Sequence, residues 1–215
     1  MRKYDAVIFD LDGTLLDTLQ DLADSVNWAL ERQGAALRSL DEIRTFVGNG
    51  VRSLMTKALP GGEEHPCFEE AFADFRRHYA EHCRDNTKPY PQIMELLADL
   101  SAGGYAMAVV SNKSDAEVRR LCEEHFGGLI PLAVGERPGV QRKPSPDSVL
   151  LTLEQLGVER ERAVYVGDSE VDVETVRRAE VDCIAVAWGF RSVEQLRAAG
   201  ATTVIHSPLD LLSLV

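Results

Sequence analysis

The chain has 215 residues, of which 45% are hydrophobic and 27% charged, a balance typical of a globular protein with one large domain or two small ones. Its 35 acidic and 23 basic side chains give a formal net charge of −12, which argues against binding to a nucleic-acid backbone or to an anionic membrane surface. Its apolar runs fall far short of the ~20 residues of a membrane span. We therefore expect a cytoplasmic protein with reduced cysteines and no nucleic-acid or membrane partner.

Six apolar runs of strand length recur along the chain, rich in Val, Ile and Ala rather than alternating with polar residues. They are residues 4–9, 105–110, 132–134, 163–166, 183–187 and 202–205. Such runs are typical of parallel strands buried on both faces. Helical patterns separate the later runs and begin with cap signals: Ser114 with Glu117, Ser145 before Pro146, and Ser169 with Asp172. The order predicts an α/β fold with a Rossmann-like, doubly wound parallel sheet.

Residues 16–87 interrupt this alternation with four helical patterns and no strand pattern. Apolar residues recur at helical spacing over 19–30, 51–59 and 68–79, and Ser39 with Glu42 caps a further helix. We therefore expect a core domain of residues 1–15 and 88–215 and a helical cap domain of residues 16–87. Because the two connections would lie side by side, they would act as hinges and the cap as a lid.

Three carboxylates are predicted to converge at one edge of the sheet. Asp10 and Asp12 directly follow the first apolar run, and Asp168 follows the run at 163–166. Ligands bind beyond the carboxyl ends of the strands in open α/β sheets. Two like charges ~4 Å apart repel by roughly 4 kcal/mol at an effective dielectric of about 20. Lys143 alone cannot neutralise three carboxylates, so we expect a bound Mg²⁺ ion with oxygen ligands.

Each of these residues also has a structural explanation when it is taken alone. Residues 10–13 could form a strand end with an Asp-Gly turn, Asp172 could serve only the cap of its helix, and Lys143 could lie in a solvated loop. The combination is more specific. A carboxylate nucleophile, a second carboxylate for acid–base chemistry, the Ser111 hydroxyl, a lysine and a metal site together favour phosphoryl transfer.

Four segments resemble, in the right order, the four motifs of the haloacid dehalogenase superfamily, and the helical insert resembles that superfamily's small cap. The segments are residues 10–14, 110–112, 143–144 and 167–172. Residues 10–18 and the Trp188-Gly189 pair are most similar to the phosphoglycolate phosphatase branch. The resemblance implies a Mg²⁺-dependent phosphatase that acts on a small phosphorylated metabolite through an aspartyl-phosphate. We expect a monomer or a homodimer.

The resemblance also implies roles for individual residues of the core. Asp10 would attack phosphorus, Asp12 would protonate the leaving alkoxide and then activate water, and Lys143 would offset negative charge. The implied substrate-binding residues are Ser111, Asn112 and Thr14; Ser111 and the backbone amides near Asn112 would hold the phosphoryl oxygens. The implied metal ligands are Asp10, Asp168 and the Asp12 carbonyl, with Asp172 behind them to orient Lys143 or a metal-bound water.

The sequence gives weaker candidates in the cap and leaves alternatives open. Gly50 and Arg52 could contact substrate, or could simply belong to a helix start with glycine turns. A β-phosphoglucomutase-like phosphotransferase or a pyrophosphatase of the same fold is the alternative enzyme, and a non-catalytic binding module is the alternative class. Retention of every motif residue argues against the binding module. One departure is Glu180, where the family usually has a helix-ending glycine, with an expected cost of about 1 kcal/mol.

Overall fold

The computed structural model describes residues 2–215, which form two compact units. The first, called the core unit, contains the chain up to Leu16 together with Pro89–Val215, and the second, called the helical unit, is Asp17–Lys88. Two short paired strands, β2 (Leu16–Asp17) and β3 (Lys88–Pro89), carry the chain from one unit to the other.

The core unit is built on a six-stranded sheet in which every pairing is parallel. Its strands are β1 (Ala6–Phe9), β4 (Ala106–Ser114), β5 (Leu132–Glu136), β6 (Ala163–Gly167), β7 (Asp182–Val186) and β8 (Val204–Ile205). They lie in the order β5-β4-β1-β6-β7-β8. The predicted α/β class and doubly wound parallel sheet are therefore confirmed.

Helices cover both faces of this sheet, which explains why its strands do not alternate between apolar and polar residues. They are α5 (Ile93–Ala102), α6 (Asp115–Phe126), α7 (Asp147–Leu156), α8 (Glu170–Ala179) and α9 (Val193–Ala198). In β1, Val7 and Phe9 enter a cluster that includes residues of α5 and α6. Ala6 and Ile8 enter the cluster on the opposite face, which includes residues of α7 and α8.

The strand order places a topological switch point between β1 and β6. From β1 the chain adds β4 and β5 on one side, and then crosses to add β6, β7 and β8 on the other. The connections leave the carboxyl ends of β1 and β6 in opposite directions, which opens a crevice where ligands bind in such sheets. Asp10 follows β1 and Asp168 follows β6, so both lie at this crevice.

The helical unit contains the four helices that the sequence predicts, namely α1 (Leu19–Arg32), α2 (Leu40–Phe46), α3 (Gly50–Ala58) and α4 (Phe68–His82). The apolar face of α4 buries Phe68, Phe75 and Tyr79. Buried Asp21 of α1 accepts hydrogen bonds from the backbone N–H groups of Asn86 and Thr87. Among residues 2–215, none of the helices has the length and apolar character to cross a bilayer, and all four cysteines are free thiols.

The predicted helix caps are partly confirmed. Both capping boxes built on Ser39 and on Ser169 are present. The prediction of a capping box at Ser114 is wrong. The Ser114 hydroxyl donates to the Glu117 carboxylate and accepts no hydrogen bond from the backbone. At α7 the cap lies one residue later than predicted: Pro146 is the N-cap and the helix begins at Asp147.

Candidate active site

A buried network connects one lysine to two carboxylates, one directly after β1 and the other in the first turn of α8. The Nζ of Lys143 lies 2.9 Å from Asp10 Oδ1 and 2.7 Å from Asp172 Oδ1. It also donates to the hydroxyl of Tyr165, 2.9 Å away, which lies 3.0 Å from the same Asp172 oxygen. Lys143 and Asp172 are 3% and 0% exposed, so solvent screens their charges little.

The two oxygens of Asp172 are both occupied by protein donors. Oδ1 faces Lys143 and Tyr165, and Oδ2 accepts from the N–H and the hydroxyl of Ser169 at 3.1 Å and 2.6 Å. Asp172 therefore serves two purposes at once, because it caps α8 and fixes the position of the Lys143 ammonium. The structural explanation of this residue and the functional one are compatible.

Asp168 lies at the same crevice and is held by the loop that follows β7. Its Oδ2 accepts a hydrogen bond of 2.6 Å from the N–H of Phe190. A Cβ on Gly189 would collide with the Asp168 side chain, so only glycine allows the loop to pass so close. One oxygen each of Asp10, Asp168 and Asp172 lie within 4.8 Å of one another. Such a group of carboxylate oxygens could hold a metal ion.

Burial and neighbouring negative charges disfavour ionisation of Asp10 and Asp168. Burial raises the pKa of Asp10 to about 7, while the neighbouring Lys143 acts in the opposite direction. Burial, followed by the charges of Asp172 and Asp10, raises the pKa of Asp168 well above its ordinary value. Burial by itself would lower the pKa of Lys143, but Asp10 and Asp172 outweigh it and raise the pKa, so this lysine keeps its proton.

The residues predicted to bind the substrate are buried at the ends of β1 and β4. The Ser111 hydroxyl accepts a 3.3 Å hydrogen bond from the N–H of Lys113, and the Asn112 side chain donates to the carbonyl of Lys143 at 3.0 Å. The Thr14 hydroxyl is buried and has no hydrogen-bond partner among residues 2–215. Its carbonyl accepts from the indole of Trp188 at 3.0 Å.

The Asp12 side chain faces a second buried lysine rather than the three-carboxylate cluster. Asp12 Oδ1 lies 3.2 Å from the Nζ of Lys113. The cluster of possible metal-binding carboxylates contains Asp172 in its place. This arrangement is compatible with the expectation that Asp12 offers a metal its carbonyl and keeps its carboxylate for acid–base chemistry.

The two candidates of the helical unit lie at the start of α3. Gly50 is the first residue of that helix and has φ +80°. The Arg52 guanidinium is paired with Glu69 at 2.5 Å and with Glu63 at 3.3 Å, and it lies over the Phe68 ring. Arg52 is therefore already bound by two carboxylates of its own unit.

Three contacts of the site are not predicted from the sequence. Lys113 could have been found, because it directly follows Ser111 and Asn112 at the end of an apolar run. Tyr165 lies within the apolar run that precedes Asp168 and reads there as a core residue. The hydrogen bond from the Phe190 N–H to Asp168 joins backbone to side chain across the fold, so no residue type signals it.

The chain is similar to known proteins in both sequence and fold. Residues 7–186 match the model of the haloacid dehalogenase-like hydrolase family. The chain belongs to that family. Among its relatives in the family are the phosphoglycolate phosphatase of Aquifex aeolicus, 35% identical over 97% of this chain and 95% of its own, and phosphoglycolate phosphatase 1 of Pseudomonas aeruginosa, 34% identical over 96% and 78%.

Solved structures of similar proteins share this fold. A protein from Lactobacillus delbrueckii subsp. bulgaricus that is named as a phosphoglycolate phosphatase superposes with a TM-score of 0.94 at 37% identity, covering 99% of this chain and 98% of its own. CbbY from Rhodobacter sphaeroides, solved in complex with phosphate, gives a TM-score of 0.76 at 25% identity over 97% and 96%.

Proposed function

We propose that this chain hydrolyses phosphoglycolate in a Mg²⁺-dependent reaction that passes through an aspartyl-phosphate on Asp10. The chain is a phosphoric monoester hydrolase of the haloacid dehalogenase-like family. The observation that carries the proposal is the buried Asp10 at the switch point of the sheet, with the Lys143 ammonium 2.9 Å from its carboxylate. The names of its relatives favour phosphoglycolate over other small phosphate esters.

Asp10 is suited to attack because its surroundings restrict it to one position. Lys143 holds Asp10 Oδ1, and Asp172 and Tyr165 hold Lys143 in turn. A carboxylate fixed in this way reaches phosphorus without first being ordered, which lowers the entropic part of the barrier. The protonated Lys143 also offsets the negative charge that the phosphoryl group brings to the site.

Asp12 is proposed as the acid and base, and the Ser111 and Thr14 hydroxyls and the backbone amides near Asn112 are proposed to bind the phosphoryl oxygens. The Ser111 hydroxyl accepts its hydrogen bond from Lys113, so its single O–H can donate to a phosphoryl oxygen. The buried Thr14 hydroxyl, which has no partner in residues 2–215, can do the same. The backbone amides near Asn112 are proposed to act beside them.

The residues present fit a divalent cation. Asp10 and Asp172 pair with Lys143, Asp12 pairs with Lys113, and Asp168 lies beside Asp10 and Asp172 with no lysine partner shown among residues 2–215. The site thus holds four carboxylates and two lysine ammonium groups. The imbalance of two negative charges in a buried site favours a doubly charged cation. Asp10 and Asp168 are proposed as ligands, because the oxygens of Asp172 are already occupied. When bound, Mg²⁺ supplies positive charge beside the phosphoryl oxygens.

Selection of phosphoglycolate requires a group that recognises its carboxylate. Arg52 and the backbone at Gly50 stay the candidates of the helical unit. For Arg52 to bind the substrate, its guanidinium would have to exchange Glu63 or Glu69 for the substrate carboxylate. The comparison of phosphoglycolate with p-nitrophenyl phosphate, which has no carboxylate, tests this role.

The proposed function is tested by assaying phosphate release from phosphoglycolate with Mg²⁺ and with EDTA. Asp10→Asn keeps the shape of the side chain and removes its charge, so we expect activity to fall by at least ~10³-fold with the fold intact. Asp182→Asn is the matched control, because Asp182 pairs with Lys3 on the exposed surface of the same unit. Activity of Asp10→Asn within tenfold of wild type, or activity unchanged by EDTA, would contradict the proposal.

A further inference from the structure

Lys113 is a second buried ammonium group in the core unit, and apart from its positive charge it has no role in the proposed reaction. Its side chain is 3% exposed, and its Nζ lies 3.2 Å from Asp12 Oδ1. A lysine is almost never buried unless it is paired, because removing its charge from water is costly. Its position beside Asp12 therefore requires an explanation.

The backbone that carries Lys113 leaves the regular ladder of the sheet. Val110 of β4 pairs with Val134 of β5, whereas Ser114 pairs with Glu136, so four steps along β4 match only two steps along β5. Extra residues of this kind form a bulge, which redirects side chains and is common beside active sites. Gly135 allows β5 to pass the bulge, because a Cβ there would come within 2.6 Å of the Lys113 carbonyl oxygen. The fold thus fixes the backbone of Lys113.

The contact with Lys113 makes the two oxygens of Asp12 unequal. Oδ1 is inaccessible to solvent and has no hydrogen-bond partner among residues 2–215, so the ion pair with the Lys113 ammonium, 3.2 Å away, is the contact that compensates its charge. The Asp12 side chain as a whole is nevertheless 15% exposed, so its accessible surface belongs to its other atoms. Oδ2 is therefore the oxygen that can meet a substrate.

We propose that Lys113 is a positioning residue for Asp12: by holding Oδ1, it directs Oδ2 toward the oxygen of the leaving group. The inference rests on the proposed function. In the first step Asp10 forms a bond to phosphorus, the bond from phosphorus to the ester oxygen breaks, and the Oδ2 proton of Asp12 passes to that oxygen. In the second step Oδ2 takes a proton from water, whose oxygen bonds to phosphorus as the bond to Asp10 breaks.

The first step gives the test, because kcat/KM reports the steps up to the formation of the aspartyl-phosphate. p-Nitrophenolate leaves without a proton, whereas an alkoxide needs one. Phosphoglycolate and 2-hydroxyethyl phosphate both release an alkoxide, but only phosphoglycolate carries a carboxylate. For Lys113→Met we expect kcat/KM to fall by roughly tenfold or more for both alkyl esters, and by less than about threefold for p-nitrophenyl phosphate.

A double-mutant cycle shows whether Lys113 acts through Asp12. In an Asp12→Asn background, Lys113→Met should cause no further loss in kcat/KM for the alkyl esters, because the group that it positions is already gone. Lys113→Arg keeps the charge and should recover part of the activity. Lys3→Met is the control, because Lys3 is an exposed lysine of the same unit that also pairs with an aspartate. Lys113→Gln replaces Lys113→Met if the latter does not fold, as judged by its unfolding transition.

Three results would overturn the inference. Equal losses on all three esters would mean that Lys113 contacts the phosphoryl group itself. A loss confined to phosphoglycolate would mean that Lys113 binds the substrate carboxylate. An undiminished loss in the Asp12→Asn background would mean that Lys113 acts independently of Asp12. Failure of the proposed function is a separate outcome, because it would appear in wild type as a lack of Asp10-dependent hydrolysis.

Discussion

Asp10→Asn should change how the stability of the metal-free protein depends on pH. Burial raises the pKa of Asp10 from 3.8 to about 7 in the folded chain, whereas the unfolded chain exposes an ordinary carboxyl. Between these two values the folded state therefore holds a proton that the unfolded state releases. Folded wild type loses stability as pH rises through this window, and the contribution of Asp10 is fully present only below about pH 4.

The size of the effect follows from the two pKa values. The difference between 3.8 and about 7 corresponds to about 4 kcal/mol, at 1.36 kcal/mol per unit of pKa. This value is an upper bound, so we expect wild type to lose between about 1 and 4 kcal/mol relative to Asp10→Asn on going from about pH 4 to pH 7.5. Groups that titrate in this range far from Asp10 are present in both proteins and cancel to first order. Asp168 does not cancel fully, because the charge of Asp10 is one cause of its raised pKa, and its contribution changes the difference in the same direction.

The assay is urea unfolding of both proteins in EDTA across this pH range, with the two free energies of unfolding subtracted at each pH. The difference should grow in favour of Asp10→Asn as pH rises. Saturating Mg²⁺ should remove the trend in wild type, because a bound cation stabilises the Asp10 carboxylate. Parallel pH profiles of the two proteins in EDTA would refute the reasoning, because burial would then not hold a proton on Asp10.

Further predictions concern the loop that contacts Asp168, the helical unit and the end of α8. Gly189→Ala should weaken Mg²⁺ binding in calorimetric titration by roughly tenfold or more, because the added Cβ displaces Asp168; unchanged affinity would contradict this. Arg52→Ala should raise KM for phosphoglycolate by roughly tenfold and leave p-nitrophenyl phosphate nearly unchanged. Equal losses of activity on the two substrates would mean that Arg52 only connects α3 to α4. Glu180→Gly should add about 0.5–1 kcal/mol to the free energy of urea unfolding and Glu180→Ala none, since Glu180 ends α8 with φ +58°; equal effects of both variants would contradict the argument.

The sequence predicts the framework well, because the framework depends on local patterns. Near-continuous apolar runs gave all six strands of the main sheet, and helical spacing gave the four helices of the helical unit. The parallel order then placed Asp10 and Asp168 at one edge, because the carboxyl ends of such strands meet there. The capping pair of Ser169 and Asp172 was also predictable, because its two members lie three residues apart in the sequence.

The contacts that refine the site could not be predicted, because they join distant parts of the chain. The pairing of Lys113 with Asp12 depends on a bulge in β4, which the apolar pattern does not record. The hydrogen bond from Phe190 to Asp168 comes from a backbone N–H. The wrong prediction at Ser114 has a related cause. Ser114 and Glu117 are in contact, as the motif predicts, but the Ser114 hydroxyl donates to the Glu117 carboxylate, and residue spacing does not reveal the direction of a hydrogen bond.

The central claim is that phosphate passes through a covalent bond to Asp10, and acid quenching of a single turnover tests it most directly. Wild type mixed with ³²P-labelled phosphoglycolate and Mg²⁺ should retain label on the protein after the quench. Hydroxylamine should release this label, and peptide mapping should place it on the peptide that contains Asp10. With ³²P-labelled p-nitrophenyl phosphate, whose leaving group needs no proton, Asp12→Asn should retain more label than wild type, because its aspartyl-phosphate lacks the base that activates water. Rapid release of phosphate with no label on the protein, or label mapped to another residue, would contradict the account.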